Sequence, residues 1–147
     1  MSSLSGAHLT ISLLHATYHR PGGPAEVRDA WLAGAERPDR VEYVVAMDAD
    51  DDSAIGATTG WKRVLSPPSS AITAVRNWNA AASIARGALM VTIADDLFPP
   101  RGWDTQLDAI VGVLDPIRTA FAVKVALHRR GCRSGLKPPV SSRLRAM

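Results

Sequence analysis

Two adjacent carboxylates, Asp95 and Asp96, end the apolar run Leu89-Met90-Val91-Thr92-Ile93-Ala94 and precede the break Leu97-Phe98-Pro99-Pro100. A strand that ends this way delivers paired acids to the crevice outside the carboxyl ends of an α/β sheet, where ligands usually sit. There the pair can hold a hard cation against a diphosphate. Taken alone, the same Asp-Asp pair also serves as the start of a solvated turn. A second acid cluster, Asp48-Ala49-Asp50-Asp51-Asp52, comes after the apolar run Val41 to Met47. Four carboxylates in five positions repel one another unless a cation or donor groups are near. An EF-hand is excluded, because neither the glycine at loop position six nor the glutamate at position twelve is present. Arg76 and Asn79 lie three apart on one helix face, where Arg76 can add fixed charge to a diphosphate and Asn79 can buttress the loops.

The elements that position these groups emerge from periodicity. Leu9, Ile11 and Leu13 alternate with Thr10 and Ser12, which predicts an internal strand over residues 8–16. Thr17-Tyr18-His19-Arg20-Pro21-Gly22-Gly23-Pro24 is turn chemistry, and helical spacing of Val27, Ala30 and Trp31 predicts a helix over 25–35. A second strand over 41–47 is nearly continuous in apolar residues, as a strand covered on both faces should be. A short third strand over 61–65 precedes the Pro67-Pro68 break; a helix over 71–86 comes next, capped by Ser69 or Ser70 and ended by Gly87. Residues 88–94 are the acid-bearing strand, and Trp103, Leu107, Ile110, Val111 and Leu114 mark a last amphipathic helix. Residues 119–127 suit one more strand.

Alternating strands and helices with short connections predict an α/β fold with a mostly parallel, Rossmann-like sheet and flanking helices. The loops over 17–24, 48–53 and 95–100 then gather at one edge. Neither a glycine-rich dinucleotide fingerprint nor a Walker sequence is present, so phosphate charge falls to a cation and to Arg side chains.

Length allows one domain, expected over 1–127, with a flexible basic tail over 128–147. The net charge of +3 hides a split: residues 1–117 carry 9 Lys/Arg against 14 Asp/Glu, and residues 118–147 carry 8 Lys/Arg and no acid. Such a tail is either a solvated extension or a contact for nucleic acid or another chain. Cys132 is the only cysteine, which excludes an intrachain disulfide and a cysteine-based zinc site. No apolar run reaches a membrane span and residues 1–7 lack signal-peptide character, so the expected compartment is cytoplasmic.

In order and spacing these residues resemble the family-2 glycosyltransferases of the GT-A fold over roughly residues 8–115. Thr17-Tyr18-His19-Arg20-Pro21 is similar to the family's first nucleotide-contacting turn, with His19 where Asn is frequent. Met47-Asp48-Ala49-Asp50 resembles the acid segment that receives the base. Arg76-Asn77-Trp78-Asn79 with Ala85-Arg86-Gly87 after it resembles the Arg-Asn and Ala-x-Gly segment. Ala94-Asp95-Asp96 is similar to the Asp-x-Asp metal signature with its first acid replaced. Pro99, Pro100 and Trp103 resemble the proline and aromatic found after that signature in some members.

The resemblance implies a transferase using a UDP- or GDP-linked sugar with Mn2+ or Mg2+. Thr17, Tyr18, Arg20, Asp48, Asp50, Arg76, Asn79 and Asp95 would contact nucleotide, and Asp95 and Asp96 the metal. Asp96 is the first-choice metal ligand, and Asp48 or Asp50 is expected to accept a hydrogen bond from the base, since an ionised carboxylate only accepts. Family members continue for about another hundred residues that form the acceptor site and supply the catalytic base, so the chain is expected to be a truncated nucleotide-binding half. Asp104 and Asp108 are the remaining base candidates. The four tryptophans are expected to be packing residues, with Trp103 the best exception as a sugar platform. The rival reading is a non-catalytic nucleotide-binding or assembly protein whose basic tail contacts nucleic acid or another chain. Self-association through residues 118–127 is expected from their exposed strand character.

Overall fold

Four short apolar runs become strands: β1 (Ile11–Ala16), β2 (Val41–Asp48), β3 (Arg63–Ser66) and β4 (Leu89–Ala94). The computed structural model describes residues 10–20, 22–68 and 74–112. Helices α1 (Gly23–Gly34), α2 (Asp52–Ala57) and α3 (Ala74–Ile84) connect successive strands, and α4 (Trp103–Gly112) comes after β4. Every strand pair is parallel and the order is β3-β2-β1-β4, so β1 is internal as its alternation requires.

Alternation along the strands divides the core between the two faces of the sheet. Ile11, Leu13, Tyr43, Val45, Met47 and Ile93 pack with Val27 and Trp31 of α1 and with Trp103, Leu107 and Val111 of α4. On the other face Leu14, Val44 and Ala46 meet Ala81 of α3, flanked by Trp78, Ala82 and Ala85. All six β1 residues are buried, because helices cover both sides of this strand. Such coverage makes β1 the rigid axis from which the loops at its C-terminal end are placed.

Helix α1 starts two residues earlier than its apolar spacing indicates. Pro24 sits in the first turn, where its missing N–H costs nothing and its fixed φ favours the helix. Helix α2 begins inside the segment that reads as an acid loop. Asp51 is its N-cap and accepts the N–H of Ala54 at 3.1 Å, so one of the four clustered acids serves local folding.

Gly87 has a different task from the helix-ending one its position suggests. Helix α3 ends at Ile84, and the glycines with positive φ among the described residues are Gly60 and Gly102. Gly87 instead lies against β1, its N–H donating to Ser12 Oγ at 2.8 Å. A Cβ there would stand 2.5 Å from Ser12 N and Oγ and 2.9 Å from the Ile11 carbonyl carbon. Absence of a side chain is what lets the α3–β4 connection touch the central strand.

The segment after β4 is pinned along α1. Trp31 Nε1 donates to Leu97 O at 2.8 Å, Gly102 N to Gly34 O at 2.7 Å, and Trp103 Nε1 to Trp31 O at 2.9 Å. Trp103 is 1% exposed and meets Trp31 edge-on with ring centroids 5.0 Å apart. It is a core residue, so its expected exception as a sugar platform does not hold. No helix among the described residues is long and apolar enough to cross a membrane. The Ser69 or Ser70 cap, the strand over 119–127, Cys132 and the basic tail lie outside the described residues.

Candidate functional site

Since β1 lies between β2 and β4, the residue that comes after it is flanked by both acid-bearing strand ends. Thr17 takes that position, 2% exposed, with its N–H on Ala46 O at 3.1 Å and its hydroxyl 2.9 and 3.0 Å from the two Asp95 oxygens. Tyr18 N points at Asp95 Oδ2 at 3.4 Å, and His15 Nε2 lies 2.9 Å from Asp95 Oδ1. The Asp95 carboxylate thus meets donors at both oxygens. The start of α1 closes on it as well: a Cβ on Gly23 would stand 3.2 Å from Asp95 Oδ1. Asp96, next in the turn, is half-buried, and Tyr18 and Arg20 stand exposed on the adjoining loop.

Asp48 projects to the α3 side of the sheet and is 1% exposed. Its Oδ1 accepts from Arg76 Nη2 at 3.1 Å and from Asn77 Nδ2 at 3.0 Å. Three buried polar atoms of this trio, Asp48 Oδ2, Arg76 Nε and Asn77 Oδ1, have no hydrogen-bond partner among the described residues. A buried polar group without a partner costs about 1–3 kcal/mol, so this trio carries unmet polar capacity at the C-terminal end of β2. Arg76 spends Nη2 on Asp48 while its side chain stays 39% exposed. Asn79 is exposed farther along α3, and Asn77 is the asparagine that reaches the acid. Helical phase carries the signal for this: Asn77 shares its face with Ala81, which packs on the sheet.

Asp50 is exposed in the turn after β2, whereas Asp51 is fully buried. Burial pushes the Asp51 carboxyl upward, but the N–H groups of His19 and Ala54 and the Ser53 hydroxyl outweigh it and hold the group below its ordinary range. The His19 bond, 2.6 Å to Asp51 Oδ2, fixes a residue whose φ of 48° is left-handed. Asparagine, aspartate and histidine tolerate this backbone better than other non-glycine residues. Histidine therefore keeps the turn where the resembled family often has asparagine.

Both candidate bases lie away from this edge. Asp104 is 1% exposed and accepts the N–H groups of Glu36 and Arg37, each at 2.8 Å. Asp108 pairs with Arg40 at 2.8 and 3.1 Å, and Arg40 immediately precedes β2 at the N-terminal edge of the parallel sheet. Neither is placed to take a proton from an acceptor bound near Asp95, and they hold α4 to the turn before β2.

Three acids held below their ordinary range, Glu42, Asp51 and Asp104, make stability sensitive to pH. For Glu42 burial raises the carboxyl, yet the Arg86 N–H, the Lys62 ammonium and the Ser12 hydroxyl bring it down to about 2. Asp104 is likewise held low, since four backbone N–H groups overcome the penalty of burial. Groups depressed in the folded state bind more protons when unfolded, so their stabilisation is complete above the ordinary carboxylate value of about 4 and is lost as pH falls toward about 2. Urea midpoints should be level near neutrality and drop below about pH 4. A midpoint unchanged between neutrality and about pH 3 would contradict these placements.

The strand order and the flanking helices define an α/β, Rossmann-like architecture. Among solved structures it is similar to the mannosyltransferase PcManGT from Pyrobaculum calidifontis, whose structure contains GDP-Man and Mn2+, with a TM-score of 0.57 and 22% identity. The match covers 74% of this chain and 33% of that one, so the chain spans about a third of its neighbour. No family profile and no curated protein matches the sequence.

Proposed function

We propose that the chain carries the nucleotide-sugar site of a glycosyltransferase of the GT-A kind, binding a UDP- or GDP-linked sugar with a divalent ion. The observation that carries this reading is the trio Asp48, Arg76 and Asn77, which buries two unpartnered acceptor atoms and one donor at the C-terminal edge of β2. A pyrimidine or guanine base offers ring N–H donors that suit Asp48 Oδ2. Thr17 and Tyr18 N meet Asp95, and with the exposed Arg20 on the same loop they would line the space between this trio and Asp95 for the rest of a nucleotide. The shared fold of a protein that holds GDP-Man supports the same reading.

Among the described residues no three His, Cys, Asp or Glu side chains gather into a cage for a metal ion. Mg2+ and its like are often held by one or two carboxylates, with phosphates and water supplying the remaining ligands, and the Asp95-Asp96 turn suits that donor set. Asp96 would be the first ligand to the ion and Asp95 the second. When bound, such an ion would neutralise the departing diphosphate as a Lewis acid. Asp95, engaged by Thr17 and His15, would keep the turn in register with β1.

Asp48→Asn puts an N–H where the base N–H must be accepted, and nucleotide affinity should fall by about 1–3 kcal/mol. Calorimetry beside Asp50→Asn separates two neighbours of different burial. Loss confined to Asp48→Asn assigns the base to the buried carboxylate, and no loss in either variant contradicts the reading.

A further inference from the structure

We propose that His15 is a positioning residue for Asp95, with Tyr43 setting the tautomer that lets it act; this rests on reading Asp95 as part of a nucleotide-diphosphate site. His15 sits on the core face of β1 in phase with Ile11 and Leu13, where periodicity favours another aliphatic side chain. It is fully buried, while the Asp95 side chain keeps 13% exposure. The imidazole therefore bonds from the core side to a carboxylate that retains some surface exposure.

Both ring nitrogens have partners, and chemistry assigns their protons. An ionised carboxylate only accepts, so Nε2, 2.9 Å from Asp95 Oδ1, must carry hydrogen. In a neutral ring Nδ1 is then the acceptor, and the Tyr43 hydroxyl bonds to it. Tyr43 has one proton to give, so its 3.5 Å approach to Pro24 O is the weaker option. An aspartate, a histidine and a tyrosine thus form a buried chain running from the edge of the site into the core, with the Tyr43 ring set edge-on to His15 and to Trp61.

Leucine at position 15 would fill a core site without two ring nitrogens to desolvate. What histidine adds is a directed donor to Asp95 Oδ1, at an angle to the Thr17 hydroxyl that spans both oxygens. Thr17 and Tyr18 N approach from the loop beyond β1, and His15 adds a donor from the rigid strand itself that fixes the carboxylate plane. Partners of this kind, one step removed from a ligand, change metal affinity about 10- to 100-fold when lost.

The test uses the full chain and the variants His15→Leu, His15→Gln and Tyr43→Phe. Nitrogen NMR of the imidazoles without nucleotide should give one histidine protonated at Nε2 and bare at Nδ1, missing in His15→Leu and altered in Tyr43→Phe. Calorimetry with GDP and UDP in the presence of Mn2+ should then find affinity lowered at least about 10-fold in His15→Leu. His15→Gln, which retains an N–H donor, should recover most of it. Urea midpoints separate this from simple destabilisation, since affinity should track the donor and not stability. A His15 protonated at Nδ1, or equal affinity in His15→Leu and the unaltered chain, overturns the proposal. If His15→Leu does not fold, Tyr43→Phe, which deletes one oxygen, decides it: reduced affinity supports the chain and undiminished affinity overturns it. Absence of nucleotide binding by the unaltered chain contradicts the functional reading instead, and the imidazole spectrum still decides the Asp95-His15-Tyr43 arrangement.

Discussion

Gly87→Ala is expected to lower the free energy of unfolding by about 3 kcal/mol or more. The added methyl would stand 2.5 Å from Ser12 N and 2.9 Å from the Ile11 carbonyl carbon, which are backbone atoms of the central strand. A flexible side chain could swing away from such an overlap, but β1 is held on both sides by β2 and β4 and cannot. The α3–β4 connection would have to move outward, stretching the 2.8 Å bond to Ser12 Oγ and the register of β4 with it. Gly56→Ala is the natural companion: it lies in α2 with nothing within 4 Å of an added Cβ. Helix propensity should make that change neutral or stabilising by up to about 1 kcal/mol. Urea unfolding of the two variants checks both signs, and equal midpoints would contradict the packing described at Gly87.

The second large effect is expected at Asp104. Besides the N–H groups of its own helix start, its carboxylate accepts the two long-range N–H groups of Glu36 and Arg37, and it is itself 1% exposed. Hydrogen bonds to a charged acceptor contribute about 1.5–3 kcal/mol each, and alanine would leave both donors unpaired. Asp104→Ala should therefore cost about 3 kcal/mol or more, and Asp104→Asn, which keeps one acceptor oxygen, about half of that. Because this residue holds α4 to the turn before β2, the loss should appear in unfolding midpoints and leave nucleotide affinity in the folded fraction unchanged. An Asp104→Ala variant that kept full stability but lost nucleotide binding would return the residue to the catalytic candidates.

The strands are legible in sequence because their periods are simple. Val41 to Met47 is apolar at every position except Glu42, as two covered faces demand, and the structure extends it by one residue to Asp48. The three loops at the sheet edge are legible for the same reason, since strand ends in a parallel sheet share one side. Side-chain partners are harder to read. Asp51 stands in a run of acids that looks like one feature, yet the structure gives Asp48 to α3, leaves Asp50 exposed, and uses Asp51 to cap α2 and hold His19. The cue is Asp51-Asp52-Ser53-Ala54, a capping sequence hidden by the expectation of a ligand loop.

His15 escapes a sequence reading because a single polar residue on an apolar face carries no partner information. Its two bonds come from positions 28 and 80 residues away. Spacing from Arg76 favours Asn79, whereas burial against the sheet selects Asn77. Gly87 reads as a helix end, and only the tertiary approach to Ser12 gives its reason. In each case the missing information is a long-range contact, and local pattern cannot supply one.

Calorimetric titration of the full chain with GDP and with UDP, each with Mn2+ and again with chelator, tests most directly whether the Asp48 and Asp95 edge is a metal-dependent nucleotide site. At least one of the two nucleotides should bind with the ion present, and binding should be lost when the ion is removed. A folded chain that binds neither nucleotide with Mn2+ present, or binds equally well with chelator, would contradict this.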